Sequence, residues 1–410
     1  MSTKIHRKYQ QSFHVIQDPR KQIREMVRAQ LRDSTLNFIH DLFREEMEFL
    51  CGPAFSHKKD DQCLRGGWDP GSVMLEGQRI AVKKPRSKKN GKDVELQSYA
   101  ALQGFDMLKD SVLKHMMSGV STRNYDGLLE EVSGGLGLKK SSVSKAFAMG
   151  SREAFDSLNS RDLSAYSWLA IMVDGIEFGG ACVAAALGIT TEGKKLILGL
   201  KRGDTEDSEI CKDLFQNLIG RGLKKDDPFL FVLDGSKALK SGVRKVFGER
   251  FPIQRCVRHK ERNILKYLQK QYHRELRRRW KMLHGITQYA EAKLEYERLL
   301  HWLKDKNQEA AASLEEAEME TLTVIQFKAG ALLRKTLLST NPIESAFDKV
   351  RMRSGRVKRW RQKKDQIERW SGAGLVWAEK GFRAIRGAKE IADFILQVKI
   401  FSLSSQQKAA

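Results

Sequence analysis

The chain has 410 residues, of which 41% are hydrophobic, and it carries 74 Lys and Arg against 51 Asp and Glu, a formal net charge of +23. This length allows two or three domains, and the charge favours a phosphate polyanion as partner, bound more weakly as salt rises. The sequence contains no long apolar run and no apolar leader, so we expect a cytoplasmic protein without a membrane partner, and the five scattered cysteines predict reduced thiols.

The N-terminal part predicts helix followed by a small β region. Apolar residues recur at helical spacing through 18–50, which predicts one or two amphipathic helices. The stretch GSVMLEGQRIAVKKP then predicts two short strands joined by a turn near Glu76 and Gly77. Cys51, His57 and Cys63 could ligate zinc, but three candidate ligands at an unusual spacing make this a weak hypothesis.

Residues 106–154 predict three helices. The last two are STRNYDGLLEEVS and SSVSKAFAMGSREAF, with Ser121 and Ser141 as N-caps and the turn GGLGLKK between them. Two short helices joined in this way fit a helix-turn-helix whose second helix enters the DNA major groove, although a plain helical connector explains the pattern almost equally well. In the first case, the residues nearest to DNA would be Ser142, Ser144 and Lys145.

From Trp168 the pattern changes to alternating strands and helices. The runs WLAIMVDG, ACVAAALGIT and KKLILGLKRGD predict an antiparallel meander. The next elements are a helix (204–223), a strand (228–235), a helix (236–248) and a fifth strand (251–259). This order, three strands followed by a helix, a strand, a helix and a strand, is that of the ribonuclease H-like fold, an α/β core with a mixed sheet. A charged, all-helical segment follows at about 260–335.

Two aspartates end matching apolar strands, Asp174 in AIMVDG and Asp234 in LFVLDG. If these strands are neighbours, the two carboxylates converge, and without a counter-ion one of them would hold a proton. Two divalent cations about 4 Å apart would neutralise them and support phosphodiester chemistry. Oxygen donors favour Mg²⁺, for which Mn²⁺ can substitute. A turn or capping role is commoner for a single strand-end Asp, but two in matching contexts favour a site.

A third acid precedes a strongly basic run. Within TNPIESAFDKVRMRSGRVKRWRQKK, nine of the sixteen residues 349–364 are Lys or Arg. Spacing predicts a helix that buries its Ile343 face and carries Glu344 at the edge of that face. Asp348, one turn later, is a rival, and an acid at a helix N-terminus needs no active site at all.

Other kinds of site are less well supported. Cys256 and His259 could form a nucleophile pair or half of a zinc site, but at a strand end their side chains need not meet, and a second pair of zinc ligands is lacking. The sequence contains no GxxxxGK[ST] motif, so we expect no nucleotide cofactor of the P-loop type.

Five blocks in order resemble the bacterial insertion-sequence transposases of the Mutator superfamily. They are MVDGIEF, ALGITTEGKKLILGLKRGDTEDSEICKDLFQNLIGRGL, FVLDGSKALKSGVRKVFG, RCVRHKERNIL and TNPIESAFDKVRMRSGRV. The resemblance implies a DDE transposase whose catalytic, metal-binding triad is Asp174, Asp234 and Glu344, and it favours Glu344 over Asp348. It also implies that Cys256 and His259 are structural support beside the site.

The resemblance extends to the whole architecture and to the partners. It implies five parts: an N-terminal helical and small β region for DNA-end binding or dimerisation (1–100), a helix-turn-helix (101–160), a ribonuclease H-like core (161–259), an all-helical insertion (260–335), and the rest of the core with C-terminal helices (336–410). The expected partner is double-stranded DNA, both transposon ends and target, bound by a homodimer or higher oligomer associated with the bacterial nucleoid. The residues expected on the DNA backbone are Arg351, Arg353, Arg356, Lys358, Arg359 and Arg361.

We therefore predict a transposase that binds terminal inverted repeats, cleaves an element end to expose a 3'-hydroxyl, and transfers that strand with two Mg²⁺. The resemblance implies a copy-type route through a circular intermediate, which the residues themselves do not show. Two alternatives stay open: a ribonuclease H-like nuclease that cuts without strand transfer, and a domesticated DNA-binding regulator without catalysis.

Overall fold

The structure is a computed structural model, and it describes residues 19–55, 63–75, 78–103, 105–119, 135–136, 140–203, 207–355, 357–361 and 364–409. Contacts divide the chain into two compact units, Met1–Val112 with Thr122–Ala146, and Leu113–Ser121 with Phe147–Ala410. His57, the turn at Glu76 and Gly77, the predicted helix 121–133 and Arg356 lie outside the described residues.

The first unit contains a long helix and a small antiparallel sheet. The elements are α1 (Pro19–Cys51), β1 (Leu64–Leu75), β2 (Gln78–Lys89), β3 (Lys92–Val94), α2 (Gln97–Gln103) and β4 (Gly135–Leu136). Strand β2 pairs with β1, β3 and β4, and Ile39, Phe43 and Met47 of α1 share a core with the sheet. The two predicted strands are confirmed, and the helical pattern of 18–50 forms one helix.

Two helices fall in the region of the predicted helix-turn-helix, α3 (Phe105–Ser118) and α4 (Lys140–Ser160). Helix α4 begins at Lys140, so Ser141 lies inside the helix and not at its N-cap. Part of the predicted turn GGLGLKK is the strand β4, which pairs with Arg79 and Ile80. The helix-turn-helix stays a prediction, because its first helix lies outside the described residues.

The second unit is built on a five-stranded mixed sheet. Its elements are β5 (Trp168–Phe178), β6 (Ala181–Thr190), β7 (Lys195–Arg202), α5 (Ser208–Gly220), β8 (Leu230–Leu233), α6 (Lys237–Phe247) and β9 (Ile253–Arg255). The strand order is β7-β6-β5-β8-β9. Strands β5, β6 and β7 are antiparallel neighbours, whereas β8 runs parallel to both β5 and β9. The predicted succession of strands and helices is confirmed.

Local sequence explains why these elements form. Strand β5 reads as a continuous apolar run because almost every one of its residues is buried, as expected for the centre of a sheet covered on both faces. Helix α5 begins at the N-cap Asp207, whose carboxylate accepts from the backbone N–H of Glu209 at 2.9 Å. Helix α6 begins at Ser236, which accepts from Leu239 N–H at 3.2 Å.

The predicted fifth strand was too long. Strand β9 ends at Arg255, and a helix begins at Val257, so Cys256 is its N-cap and His259 lies in its first turn. The strand ends where its partner β8 ends, since the last register pair is Leu233 with Arg255. Val257 N–H then donates to the carbonyl of Leu338 at 2.9 Å, which turns the chain away from the sheet.

The segment after the sheet is helical, as predicted. Its helices are α7 (Val257–Tyr267), α8 (His273–Leu283), α9 (Tyr289–Lys306), α10 (Gln308–Glu315), α11 (Thr323–Gln326) and α12 (Ala331–Leu337). They enclose a core of their own that includes Ile264, Trp280 and Leu299. The segment docks on β9 through Gln254, which accepts from Val324 N–H at 2.9 Å and donates to the Thr321 carbonyl at 3.0 Å.

In the described residues after 340, three further helices follow: α13 (Asn341–Ser354), α14 (Gln366–Glu379) and α15 (Ile391–Ala409). Ile343, Phe347 and Val350 of α13 are buried, which confirms the predicted apolar face. Within the described ranges, every helix is too short or too polar to cross a membrane.

Candidate active site

Asp174 and Asp234 lie side by side on neighbouring strands of the sheet. The prediction that both end their strands is correct for Asp234 and wrong for Asp174, because β5 stays paired with β6 as far as Phe178. Val173 of β5 is paired with Leu233 of β8, so the aspartates that follow these residues occupy matching positions on adjacent parallel strands. Each carboxylate is fixed by a backbone N–H group: Asp174 Oδ1 accepts from Gly175 at 2.8 Å, and Asp234 Oδ1 accepts from Ser236 at 2.8 Å. The convergence that the strand order predicted is therefore present.

Both aspartates are costly to ionise. The pKa of Asp174 is raised to about 7, with burial as the largest cause. His259 acts in the opposite direction, and the nearby charges of Asp234 and Glu344 act in the same direction as burial. Burial also raises the pKa of Asp234, against hydrogen bonds and the positive charge of Arg255. The fold thus collects negative charge in a place where water cannot stabilise it.

The glycine after Asp234 has a structural reason. Gly235 has a φ of 118°, which L side chains rarely adopt, and a Cβ there would lie 2.6 Å from Nη1 of Arg255. Arg255 is only 3% exposed. The glycine is therefore needed for a backbone turn that packs against a buried guanidinium.

Glu344 faces the site from the first turn of α13. Its Oε1 lies 3.5 Å from Nε2 of His259 and 3.3 Å from Oγ1 of Thr340. Arg262 of α7 places Nη2 3.2 Å from the same oxygen. The charge of Glu344 acts on Asp174, so the three acids of the predicted triad belong to one electrostatic cluster.

Thr340 is the residue that sequence analysis missed. It is fully buried, and its hydroxyl lies 3.4 Å from Nδ1 of His259 and 3.4 Å from Sγ of Cys256. The hydroxyl also hydrogen-bonds Asp174 and thereby lowers the pKa of that carboxyl. Because it carries a single proton, it can donate to one of these neighbours at a time. The only sequence signal was its position at the start of the TNPIE block.

The side chains of Cys256 and His259 lie close together beside the acids. The spacing in the sequence had not required this. The helical start at Val257 brings them to one side of α7, and Thr340 N–H donates to Sγ of Cys256 at 3.4 Å. Ligand atoms of Cys256, His259 and Glu344 all lie within 4.8 Å of one another. Such a mixed donor set suits a softer ion such as Zn²⁺. However, the sulfur already accepts from Thr340, and Arg262 contacts the glutamate.

The rival acid Asp348 has different surroundings. Its side chain is 70% exposed and pairs with Arg351 at 3.2 Å, an exposed contact between neighbouring turns of α13. The guanidinium of Arg353 stacks over Trp377 at 4.7 Å from the ring centroid. Both arginines were predicted to bind DNA, and both already contact groups of this chain.

The basic segment after α13 combines an anchored tryptophan with exposed cations. Trp360 packs on Phe178 of β5, with ring centroids 4.7 Å apart. It lies so close to Gly179 that a Cβ at that glycine would be 2.5 Å from the indole. The flanking residues that point into solvent are Lys358, Arg359 and Arg361. Trp360 therefore holds an exposed cationic segment against the β5–β6 turn.

The residues predicted to read DNA from α4 have mixed exposure. Ser144 and Lys145 are exposed, and Ser142 is half-buried. They belong to the first unit, whereas the three acids belong to the second. Their role in DNA recognition stays a prediction.

The acidic cluster fits the divalent ions that the sequence predicted. Its donors are carboxylate oxygens, which Mg²⁺ and Mn²⁺ prefer. The raised pKa values of Asp174 and Asp234 show that their negative charges are incompletely compensated by the protein. A cation would supply that compensation, with Asp174, Asp234 and Glu344 as the residues that hold it.

The chain is similar in sequence to known proteins of a single class. The chain is 26% identical over 354 residues to the transposase for insertion sequence element IS256 in transposon Tn4001 of Staphylococcus aureus, a match that covers 81% of this chain and 87% of that protein. It is 25% identical over 397 residues to the transposase for IS1081 of Mycobacterium tuberculosis, covering 93% and 91% of the two chains. The transposase for IS6120 of Mycolicibacterium smegmatis is 28% identical over 245 residues, 58% of this chain and 74% of that protein.

These relatives are all insertion-sequence transposases. The family model described as Transposase, Mutator family, matches residues 6–376. The chain therefore belongs to the Mutator family of transposases, as the five sequence blocks indicated. Membership implies a DNA-binding protein that processes nucleic acid.

Proposed function

We propose that this protein is a DDE-type transposase that binds the terminal inverted repeats of its element, cleaves an end to expose a 3'-hydroxyl, and joins that end to target DNA. The observation that carries the proposal is the pairing of Asp174 and Asp234 on adjacent strands, both with raised pKa, with Glu344 coupled to them from α13. We further propose that the sheet and its helices are a ribonuclease H-like core, which the strand order β7-β6-β5-β8-β9 supports.

The chemistry assigns a separate task to each group of residues. Two Mg²⁺ ions held by such a triad supply activation of the attacking oxygen and stabilisation of the leaving oxygen. The backbone N–H groups of Gly175 and Ser236 hold the two aspartates in place, one within β5 and the other directly after β8. Thr340 and His259 hold Glu344 beside them. The exposed cations Lys358, Arg359 and Arg361 would bind the phosphate backbone near the cut.

The test is Asp174→Asn with labelled DNA that carries the element ends and Mg²⁺. Loss of one ligand of a catalytic unit should reduce cleavage and joining by about a thousandfold or more, while end binding survives. Asp348→Asn is the matched control, because it removes one exposed acid of α13, and it should keep wild-type cleavage.

A different result of this experiment would support each alternative to the proposed function. Joining at the wild-type rate by the Asp174→Asn protein would show that the site assignment is wrong. Cleavage without joining by the wild-type protein would indicate a nuclease. Binding without cleavage by the wild-type protein, in Mg²⁺ and in Mn²⁺, would indicate a non-catalytic regulator.

A further inference from the structure

Arg262 contacts the carboxylate of Glu344, the proposed metal ligand. Its Nη2 is 3.2 Å from Oε1 and 3.5 Å from Oε2, so one cation contacts both carboxylate oxygens. The two residues are 82 positions apart and come from different helices, α7 and α13. Sequence analysis did not single out Arg262, although it lies three residues beyond His259 in the block RCVRHKERNIL.

This ion pair uses the same oxygens that a metal ion would need. A carboxylate offers about four lone-pair positions, and a guanidinium that contacts both oxygens occupies part of them. A divalent cation at the cluster would also be repelled by the adjacent positive charge. The guanidinium and the metal ion are therefore competitors for Glu344.

We propose that Arg262 is a positioning residue that serves as counter-ion of Glu344 in the metal-free protein and competes with divalent cations for this carboxylate. The inference rests on the proposed function, because it takes Glu344 as a metal ligand. In the metal-free protein, Arg262, His259 and Thr340 hold Glu344 at the site. Metal binding then requires that Glu344 exchange its arginine partner for the ion.

The test measures metal affinity without catalysis. Calcium binding by the full-length protein, without DNA, is followed by isothermal titration calorimetry, since Ca²⁺ takes the same oxygen ligands as Mg²⁺. Arg262→Gln should bind Ca²⁺ about fivefold more tightly than the wild-type protein, because a competing charge is gone. The half-saturating Mg²⁺ concentration for cleavage should fall in the same proportion.

Arg258→Gln is the matched control. Arg258 lies on the same helix, its side chain is 61% exposed, and it pairs with Glu261 of that helix and not with the acidic cluster. Its loss removes the same unit of charge, so we expect less than about a twofold change in Ca²⁺ affinity. Arg262→Lys keeps the charge but loses the two-oxygen contact, and its affinity should lie between those of the wild-type and Arg262→Gln proteins.

Two outcomes would separate the possible failures. If Arg262→Gln binds Ca²⁺ no more tightly than Arg258→Gln, the inference is wrong and the proposed metal site is untouched. If the wild-type protein shows no Ca²⁺ binding that depends on Asp174, the proposed metal site itself is wrong. If the Arg262→Gln protein folds poorly, Arg262→Lys provides the test. An unchanged Ca²⁺ affinity of Arg262→Lys, equal to that of the wild-type protein, would then overturn the inference.

Discussion

The second unit contains two sets of charged residues that differ in their relation to water. Asp174 lies within the buried strand β5 and Asp234 follows the buried strand β8, and burial raises their pKa values. Lys358, Arg359 and Arg361 lie on a segment whose side chains point into solvent. The first set is held by backbone N–H groups on rigid elements. The second is fixed through Trp360 and through hydrogen bonds between Gln366 and the backbone of Arg359 and Arg361.

This difference teaches what each kind of charge can do. A buried acid is expensive to ionise, so it binds a cation strongly and reports changes in its partner through its pKa. An exposed cation is screened by salt and contributes little on its own, but several of them add their attraction to a phosphate backbone. Substitutions in the first set should therefore have large, local effects, and those in the second should have small, additive effects.

The largest stability effect is expected from the ionisation of Asp174. An Asp of the unfolded chain titrates near 3.8, whereas burial raises the pKa of folded Asp174 to about 7. Well below pH 3.8 the group is protonated in both states and costs nothing. Between pH 4 and 7 the unfolded chain releases its proton first, so stability falls as pH rises and then levels off. The loss can reach about 4 kcal/mol without metal.

Asp174→Asn removes this titration. In EDTA, its free energy of urea unfolding should exceed that of the wild-type protein by an amount that grows from pH 4.5 to pH 7.5. Asp348→Asn, an exposed acid, should show no such growth. A difference between Asp174→Asn and wild type that stays constant across this range would contradict the burial of an uncompensated charge in β5.

The contrast between the two sets also explains what could be predicted from the sequence. The apolar runs before VDG and LDG were enough to predict both strands and the convergence of Asp174 and Asp234, although β5 continues beyond Asp174 to Phe178. Spacing left Glu344 and Asp348 nearly even. The resemblance of the TNPIE block favoured Glu344, and the packing of α13 agrees, since it exposes Asp348 and directs Glu344 to His259.

Contacts between distant segments could not be predicted from the sequence. Thr340 and Arg262 gave no periodic or compositional signal, and their importance comes from partners 81 and 82 residues away. The length of β9 was predicted wrongly because it depends on where β8 ends and on the hydrogen bond from Val257 to Leu338. Such features are set by tertiary packing and not by local propensity.

A second prediction concerns a buried cation, Lys260 of α7, which is 3% exposed. Its Nζ donates to the Ser313 carbonyl at 2.7 Å and to Glu316 Oε2 at 2.6 Å, so it links α7 to the end of α10. Lys260→Met keeps most of the volume but leaves the carbonyl and part of the carboxylate without their donor. We expect a loss of about 3 kcal/mol in the free energy of unfolding, measured by urea denaturation.

The control for this prediction is Lys266→Met, which removes an exposed lysine from the last turn of the same helix. Its effect should stay within about 0.5 kcal/mol. Equal stabilities of the two variants would mean that the Lys260 ion pair contributes no more than an exposed charge, and the distinction between buried and exposed charges would fail for this helix.

The smallest effects are expected in the basic segment. Replacing Lys358, Arg359 and Arg361 together with Ala should weaken binding to element ends and to unrelated DNA alike. If each contacts one phosphate, the slope of log affinity against log salt should become less steep by about two to three. Arg356, predicted on sequence grounds, can be added as a fourth substitution. Binding is measured by fluorescence anisotropy at several NaCl concentrations.

The control removes the same charge from another exposed surface, with Lys224, Lys225 and Lys245 replaced by Ala. A general loss of positive charge weakens long-range attraction in both triple variants, but only direct phosphate contacts change the number of counterions released. A salt slope that changes equally in the two variants would reduce the basic segment to ordinary charged surface. A slope that changes only in the Lys358, Arg359 and Arg361 variant would place the DNA backbone against the segment that Trp360 anchors.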